Sequence, residues 1–120
     1  MPFLNVKIAH KGHRLSVAGL VDSGSALNIL PFDVGLELGL EWEKQTFPLE
    51  LGGTLKGAEA FAVLVKATVA EFPSVDLAFA WVKRGSADIP VLLGQVNFFQ
   101  EYNVSFHGHR RVFEIAPRPN

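Results

Sequence analysis

The 120-residue chain contains no cysteine, so disulfides and thiol chemistry are excluded, and a reducing compartment such as the cytoplasm is compatible. It lacks an excess of charge: 11 basic against 12 acidic residues leave a formal net charge of -1. That argues against an electrostatic surface for nucleic acid or anionic membrane. The pairs Lys83-Arg84 and Arg110-Arg111 are too short to reverse this and read as solvated turns or strand ends. Long apolar runs are missing too. The N-terminus, Met1-Pro2-Phe3-Leu4-Asn5, has no basic region followed by an apolar core, so no signal peptide is expected. The most apolar region, residues 58–70, is interrupted by Glu59, Lys66 and Thr68 and cannot span a bilayer as a helix. What is present is 48% hydrophobic and 19% charged residues, too apolar for a disordered chain and enough for one compact domain over residues 1–120. A short proline-containing tail is expected at residues 116–120.

The patterning is mostly β. Leu4, Val6 and Ile8 alternate with Asn5 and Lys7, His10-Lys11-Gly12-His13 supplies a turn, and residues 15–21 return as the second strand of a hairpin. Asn28-Ile29-Leu30 reads as a short strand. Pro31 then opens a helix over residues 32–40 that ends at Gly39, with Phe32 and Leu36 on one face. Phe47, Leu49 and Leu51 alternate again before Gly52-Gly53, and residues 60–69 resume as a strand. The unit reads as strand, glycine-rich tip, strand. Strands follow at residues 75–82 and 89–94, a second helix over residues 95–102, and a last hairpin from residues 104–106 and 112–115 about a His107-Gly108-His109 turn. A faint internal echo is visible: Leu20-Val21 leads into a glycine-containing break and an apolar run, and Leu92-Leu93 does the same at Gly94.

One stretch organises the rest. Leu20-Val21-Asp22-Ser23-Gly24-Ser25 brings an apolar strand to an abrupt end in an acid, a hydroxyl and a glycine. A carboxylate at such a strand end sits at the edge of the core, and the small residues let backbone approach whatever it faces. An ordinary Asp-Ser-Gly turn has the same composition. The remaining polar candidates are weaker. His10/His13 and His107/His109 fall in turns without a cysteine or an acid pair to complete a metal site, and read as exposed turn residues. Asp33, Glu37, Glu41 and Glu43 read as a solvated face, Trp42 and Trp81 as core or interface. Asp76 and Asp88 lack the context of Asp22.

Taken together, Leu20-Val21-Asp22-Ser23-Gly24, the Gly52-Gly53 tip and Leu92-Leu93-Gly94-Gln95 resemble, in order and over nearly the whole chain, the retropepsin-like aspartic proteases. The stretch Pro90-Val91-Leu92-Leu93-Gly94-Gln95-Val96-Asn97-Phe98-Phe99 is similar to that of their bacterial members. The resemblance implies a pepsin/retropepsin-like closed β-barrel with one or two short helices, working as a homodimer. It implies an aspartic endopeptidase acting on a peptide or protein substrate without metal or cofactor, with Asp22 of each subunit forming the catalytic dyad. Ser23 would brace the loop across the dimer, and Gly24 would admit the substrate backbone. Ser25 stands where many retroviral members carry alanine; a hydroxyl donated to Asp22 would favour the ionised carboxylate. Substrate-binding walls would come from Ser25, Ile29, Ile89, Pro90, Leu92 and a flap at Gly52-Gly53 and residues 51–55, with Gly94 supporting the Asp22 loop from beneath. The chain departs from retroviral members at Ala26 and Leu27, where acids often grip substrate, and at Gln95, where an arginine usually braces the dimer. The terminal strands, residues 3–8 and 112–115, are the expected contributors to a dimer sheet. The alternative implied by the fold is a non-catalytic dimerisation or peptide-binding module.

Overall fold

In the computed structural model the described residues are 2–22, 24–25, 27–94, 102–107 and 112–117, with side chains described up to residue 94. β1 (Phe3–His10) and β2 (His13–Val21) form the first hairpin, in a register that runs from Phe3↔Leu20 to His10↔His13. Its turn is only Lys11 and Gly12, with φ of 45° and 86°. Positive φ at both central residues matches the twist of the two strands, and glycine makes the second position free of strain. β3 (Ile29–Pro31) leads directly into α1 (Phe32–Glu37), with Pro31 at its N-cap. β4 (Ala60–Val69) and β5 (Val75–Val82) form the second long hairpin, and β6 (Val91–Leu93) is a three-residue strand.

Six strands close into a barrel in the order β1-β2-β6-β3-β5-β4. Hairpins alone would leave two open edges. Closure comes from β1 pairing with β4 over residues 6–9 and from two parallel contacts, β2 with β6 and β3 with β5. Val91-Leu92-Leu93 is apolar at every position, as suits a strand covered on both sides. Alternation sets the interior. Val6, Ile8, Val65, Ala67, Val69, Leu77 and Phe79 point inward, while Lys7, Leu64, Lys66 and Ala78 point outward. Each such large buried aliphatic or aromatic side chain contributes about 1.5–3 kcal/mol.

A second layer plugs one end of the barrel. Trp81 is fully buried, stacks on Phe32 at 5.7 Å and meets the edge of Trp42 at 5.0 Å. Its indole N–H donates to the Phe32 carbonyl at 3.1 Å, satisfying the one polar atom the ring takes inside. Both tryptophans are thus packing residues. α1 is shorter than the expected 32–40 helix. The peptide of Gly39, at φ +77°, turns the chain, and Leu40 N–H bonds back to the Gly35 carbonyl at 3.0 Å. The buried side of this turn carries Val34, Leu38 and Leu40, whereas Leu36 is 49% exposed and does not share the face of Phe32 in packing.

Three further expectations are corrected. Residues 47–51 form no strand; Pro48 makes an isolated bridge to Phe61, flanked by Ala62 N–H to the Phe47 carbonyl and Leu49 N–H to the Ala60 carbonyl. The ladder stops there because Ala58 N–H turns back to the Leu55 carbonyl and the Glu59 carbonyl accepts from Lys83 N–H. The tip itself is a 3-10 turn over Gly53–Leu55. Tyr102 belongs to β7 (Tyr102–His107), not to a helix; residues 95–101 lie outside the described residues. β7 pairs antiparallel with β8 (Val112–Pro117) in a separate two-stranded sheet. Thus β8 includes Ala116 and Pro117, and residues 118–120 lie outside the described residues. Among the described residues no helix is long and apolar enough to cross a membrane.

Candidate active site

β2 delivers Asp22. Leu20 and Val21 lie beside Leu92 and Leu93 in the parallel β2–β6 contact, and Asp22 N–H extends that ladder to the Leu93 carbonyl at 3.0 Å. The first halves of the two echoing sequence units therefore lie side by side. Val21 is buried, and one residue later the half-buried Asp22 leaves the sheet. Its carboxylate Oδ1 accepts Gly24 N–H at 2.9 Å and its carbonyl accepts Ser25 N–H at 3.1 Å. This is an Asx-type turn closed by the aspartate itself. It holds the side chain against its own loop and leaves Oδ2 free of any hydrogen bond among the described residues.

The loop rests on Gly94. A Cβ at that position would stand 2.5 Å from the Leu27 carbonyl oxygen and 2.7 Å from that of Ser25. Only glycine lets two loop carbonyls come this close. The same residue is tied sideways: Gly94 N–H donates to Asn28 Oδ1 at 2.8 Å, while Asn28 Nδ2 donates to the Ala78 carbonyl at 2.9 Å. Asn28, 1% exposed, is the buried polar residue of the described core. It joins the ends of β3 and β6 to the middle of β5 through one amide. In the sequence Asn28 reads only as the start of a strand; a polar side chain leading an apolar run is the signal that marks it.

The Ser25 hydroxyl donates to the Leu27 carbonyl at 2.8 Å, not to Asp22. The expected support of the ionised carboxylate by Ser25 is therefore absent. The hydroxyl is taken up by the nearer acceptor two residues along its own loop, a local bond that small polar residues readily form.

Above the loop is a groove of about 410 Å³ lined by Asp22, Gly24, Ser25, Leu27, Ile29, Leu92 and, on the opposite side, residues 51–55. Gly52 and Gly53 are exposed at that tip, and a Cβ on either would meet nothing within 4 Å. The lining combines the apolar Leu27, Ile29, Leu51, Leu55 and Leu92 with the polar Asp22, Ser25 and Thr54. Ile89 and Pro90 are not in the wall. Ile89 packs beside Ile29 and Ala80 in the smaller core cluster, and Pro90 is exposed ahead of β6. Ser23, Ala26 and Gln95 lie outside the described residues.

A larger groove of about 800 Å³ lies elsewhere, between the β1–β2 turn and residues 39–47, and holds His10 and His13. Burial, then Lys11 and His13, lowers the pKa of His10. His10 is half-buried rather than an exposed turn residue, while His13 is exposed. No group of three or more metal-ligating side chains occurs among the described residues.

The closed six-stranded barrel, with few helices and parallel contacts that set an aspartate loop against a glycine, is a retropepsin-like fold. A solved structure shares it: the EIAV protease complexed with the inhibitor HBY-793 superposes with a TM-score of 0.61. The likeness covers 82% of this chain and 85% of that one, at 20% sequence identity. No protein-family profile matches the sequence, and no curated protein matches it.

Proposed function

We propose that the protein is an aspartic endopeptidase whose active site is completed by a second copy of the chain. The observation that carries this reading is the placement of Asp22. In a fold shared with a retroviral protease, it stands at a buried strand end, over Gly94, in the lining of a groove that apolar side chains and a glycine tip also line.

One chain supplies one such carboxylate, so the chemistry requires Asp22 of the partner subunit. Two carboxylates brought within hydrogen-bond reach cannot both remain ionised without large repulsion, and they share a proton. The ionised member acts as general base on a water held between them. The water oxygen bonds to the scissile carbonyl carbon as its proton passes to that carboxylate. The protonated member donates to the carbonyl oxygen. The C–N bond then breaks as the carboxyl that took the water's proton gives it to the nitrogen, while the other carboxylate takes back a proton from one hydroxyl of the intermediate, releasing an amine and a carboxylic acid and restoring the shared proton. Gly24 and Ser25 line the floor for the substrate backbone, Ile29 and Leu92 offer apolar walls, and Gly52-Gly53 form the flap that closes over it. Ile89 and Pro90 would meet only substrate residues that extend beyond the groove. Ser23 would bond across the dimer.

The β7–β8 hairpin is the natural place for the subunits to join. Among the described residues it pairs with no barrel strand, and an isolated two-stranded sheet is marginally stable in water. Its free edges can add strands from a second copy. β1, by contrast, is paired on both sides over residues 6–9, which leaves only its first residues for such a role.

Asp22→Asn tests the proposal. The native chain should dimerise, cleave peptides with apolar residues flanking the bond, and bind a pepstatin-type inhibitor. The variant should fold and dimerise yet lose cleavage by at least a thousandfold. A native dimer that cuts no peptide, and binds one no better than the Asp22→Asn variant does, would establish the binding module instead.

A further inference from the structure

We propose that the outer face of β2, β1 and β4 carries a binding site for a phosphate- or sulfate-type oxyanion, separate from the Asp22 groove. The register creates it. Lys7 on the central strand lies opposite Ser16 on one side and Thr68 on the other. Two residues further along the same face, Ala9 lies opposite Arg14 and Lys66. Lys7, Arg14, Ser16 and Lys66 are exposed, and the inward positions Val6 and Ile8 are buried. The face is therefore a small array: a lysine between two hydroxyls, and a methyl group between two cations.

The array is concave. These residues line a groove of about 490 Å³, to which Ser74 adds a further hydroxyl. The Thr68 and Ser74 hydroxyls already meet at 2.6 Å, which fixes one wall. Ala9 is the reason for the hollow: a larger side chain there would fill the space between Arg14 and Lys66. Adjacent strands stand about 4.8 Å apart and alternate residues rise about 6.8 Å, so the strand positions of Arg14 and Lys66 are about 10 Å apart with Lys7 in the next row. A tetrahedral anion over Ala9 lies within reach of all three long side chains. Arginine offers it a two-pronged contact and the lysines a point charge each.

Charge favours the same occupant. Among the described residues no acid lines the groove. Among the described residues the ion pair formed is Lys44–Glu41, so Lys7, Arg14 and Lys66 remain outside any ion pair. Asp76 faces Lys66 across the β4–β5 register, on the side away from Ala9, and makes no ion pair with it. In a chain of net charge -1, Lys7, Arg14 and Lys66 gather on one face with Asp76 beside Lys66 at its far edge, and the cations repel each other. An oxyanion removes that repulsion. Arg14 lies near the start of β2 and Asp22 follows its end, so the two sites lie at opposite ends of one strand and share no lining residue.

The test is an amide NMR titration of the intact chain with inorganic phosphate at low ionic strength, with sodium chloride at matched ionic strength as the control. Saturable shifts confined to the neighbourhood of Lys7, Ala9, Arg14, Ser16, Lys66 and Thr68 are expected. The Arg14→Gln/Lys66→Gln variant, altered only at exposed positions, should bind at least tenfold more weakly with an unchanged melting temperature. A phosphoserine peptide run in parallel identifies the source of the anion. Tighter binding than inorganic phosphate points to a phosphorylated protein, and equal binding to the free ion. Shifts reproduced by chloride, or undiminished in the double variant, overturn the site.

Discussion

Gly94→Ala is the sharpest perturbation of this structure. The added methyl would stand 2.5 Å and 2.7 Å from the carbonyl oxygens of Leu27 and Ser25, where ordinary contact begins at 3.4 Å. Relief therefore needs movements of about 0.7–0.9 Å, and both obstacles are backbone, so no rotamer change can supply them. Neither side yields easily. β6 is held in the barrel between β2 and β3, and the Gly94 N–H is fixed to the buried Asn28. Overpacking of this kind costs about 1–3 kcal/mol, occasionally more. The Asp22 loop, exposed on its other face, is the part that moves, and it moves by close to an ångström. Under the proposed endopeptidase function, a displacement of that size at Asp22 lowers turnover on the order of a hundredfold. Denaturant unfolding measures the first effect and peptide cleavage the second. Gly52→Ala is the stability control, because a Cβ there meets nothing within 4 Å and its φ of -105° suits any residue. A Gly94→Ala protein whose stability falls no further than that of Gly52→Ala would refute the view that this glycine carries the loop.

Other outcomes follow from single contacts. Asn28→Ala removes two hydrogen bonds and leaves the buried Gly94 N–H unsatisfied, which should cost about 2–4 kcal/mol in a denaturant titration. Gly35→Ala should destabilise despite alanine's helix advantage of about 0.8–1.0 kcal/mol, since its Cβ would overlap the Trp81 indole; a protein more stable than the parent would contradict that packing. Asp33 accepts from Ser86 through its backbone N–H at 2.7 Å and through its hydroxyl, and the hydroxyl bond is the main cause that lowers the carboxyl pKa, with burial opposing it. A depressed folded-state pKa adds stability above the ordinary carboxylate range and loses it as pH falls through the lowered value. Ser86→Ala should therefore cost less than about 1 kcal/mol near neutrality, solvent screening included, and the difference from the parent should vanish in acid.

Much of the fold was legible because strand alternation is a local signal. Residues 60–69 and 75–82 could be bounded from sequence alone, since apolar side chains at period two and the flanking turn residues coincide there. The two-residue Lys11-Gly12 turn was legible for the same reason. Alternation at Phe47, Leu49 and Leu51 misled because a strand needs a partner with free backbone groups. Beyond Leu49 those of Ala58 and Glu59 are engaged elsewhere. The pairing of Phe32 with Leu36 failed differently: periodicity cannot say which face of a six-residue helix meets the Trp81 plug.

The sequence by itself determined that Asp22 ends a half-buried strand in a turn of small residues, that a glycine tip lies midway along the chain, and that Leu92-Leu93-Gly94 follows near its end. These are properties of neighbours in the chain. That Gly94 supports the Asp22 loop was implied by the resemblance, but that Asn28 locks the two together, and that Ser25 donates to Leu27 rather than to Asp22, were decided by tertiary structure. The parallel contacts of β2 with β6 and β3 with β5 join residues far apart in the chain, as in Leu20↔Leu92 and Ile29↔Ala80, and no local pattern encodes such a meeting. It is closure of the barrel, driven by burial of these apolar strands, that turns a turn-forming aspartate into part of the lining of a groove.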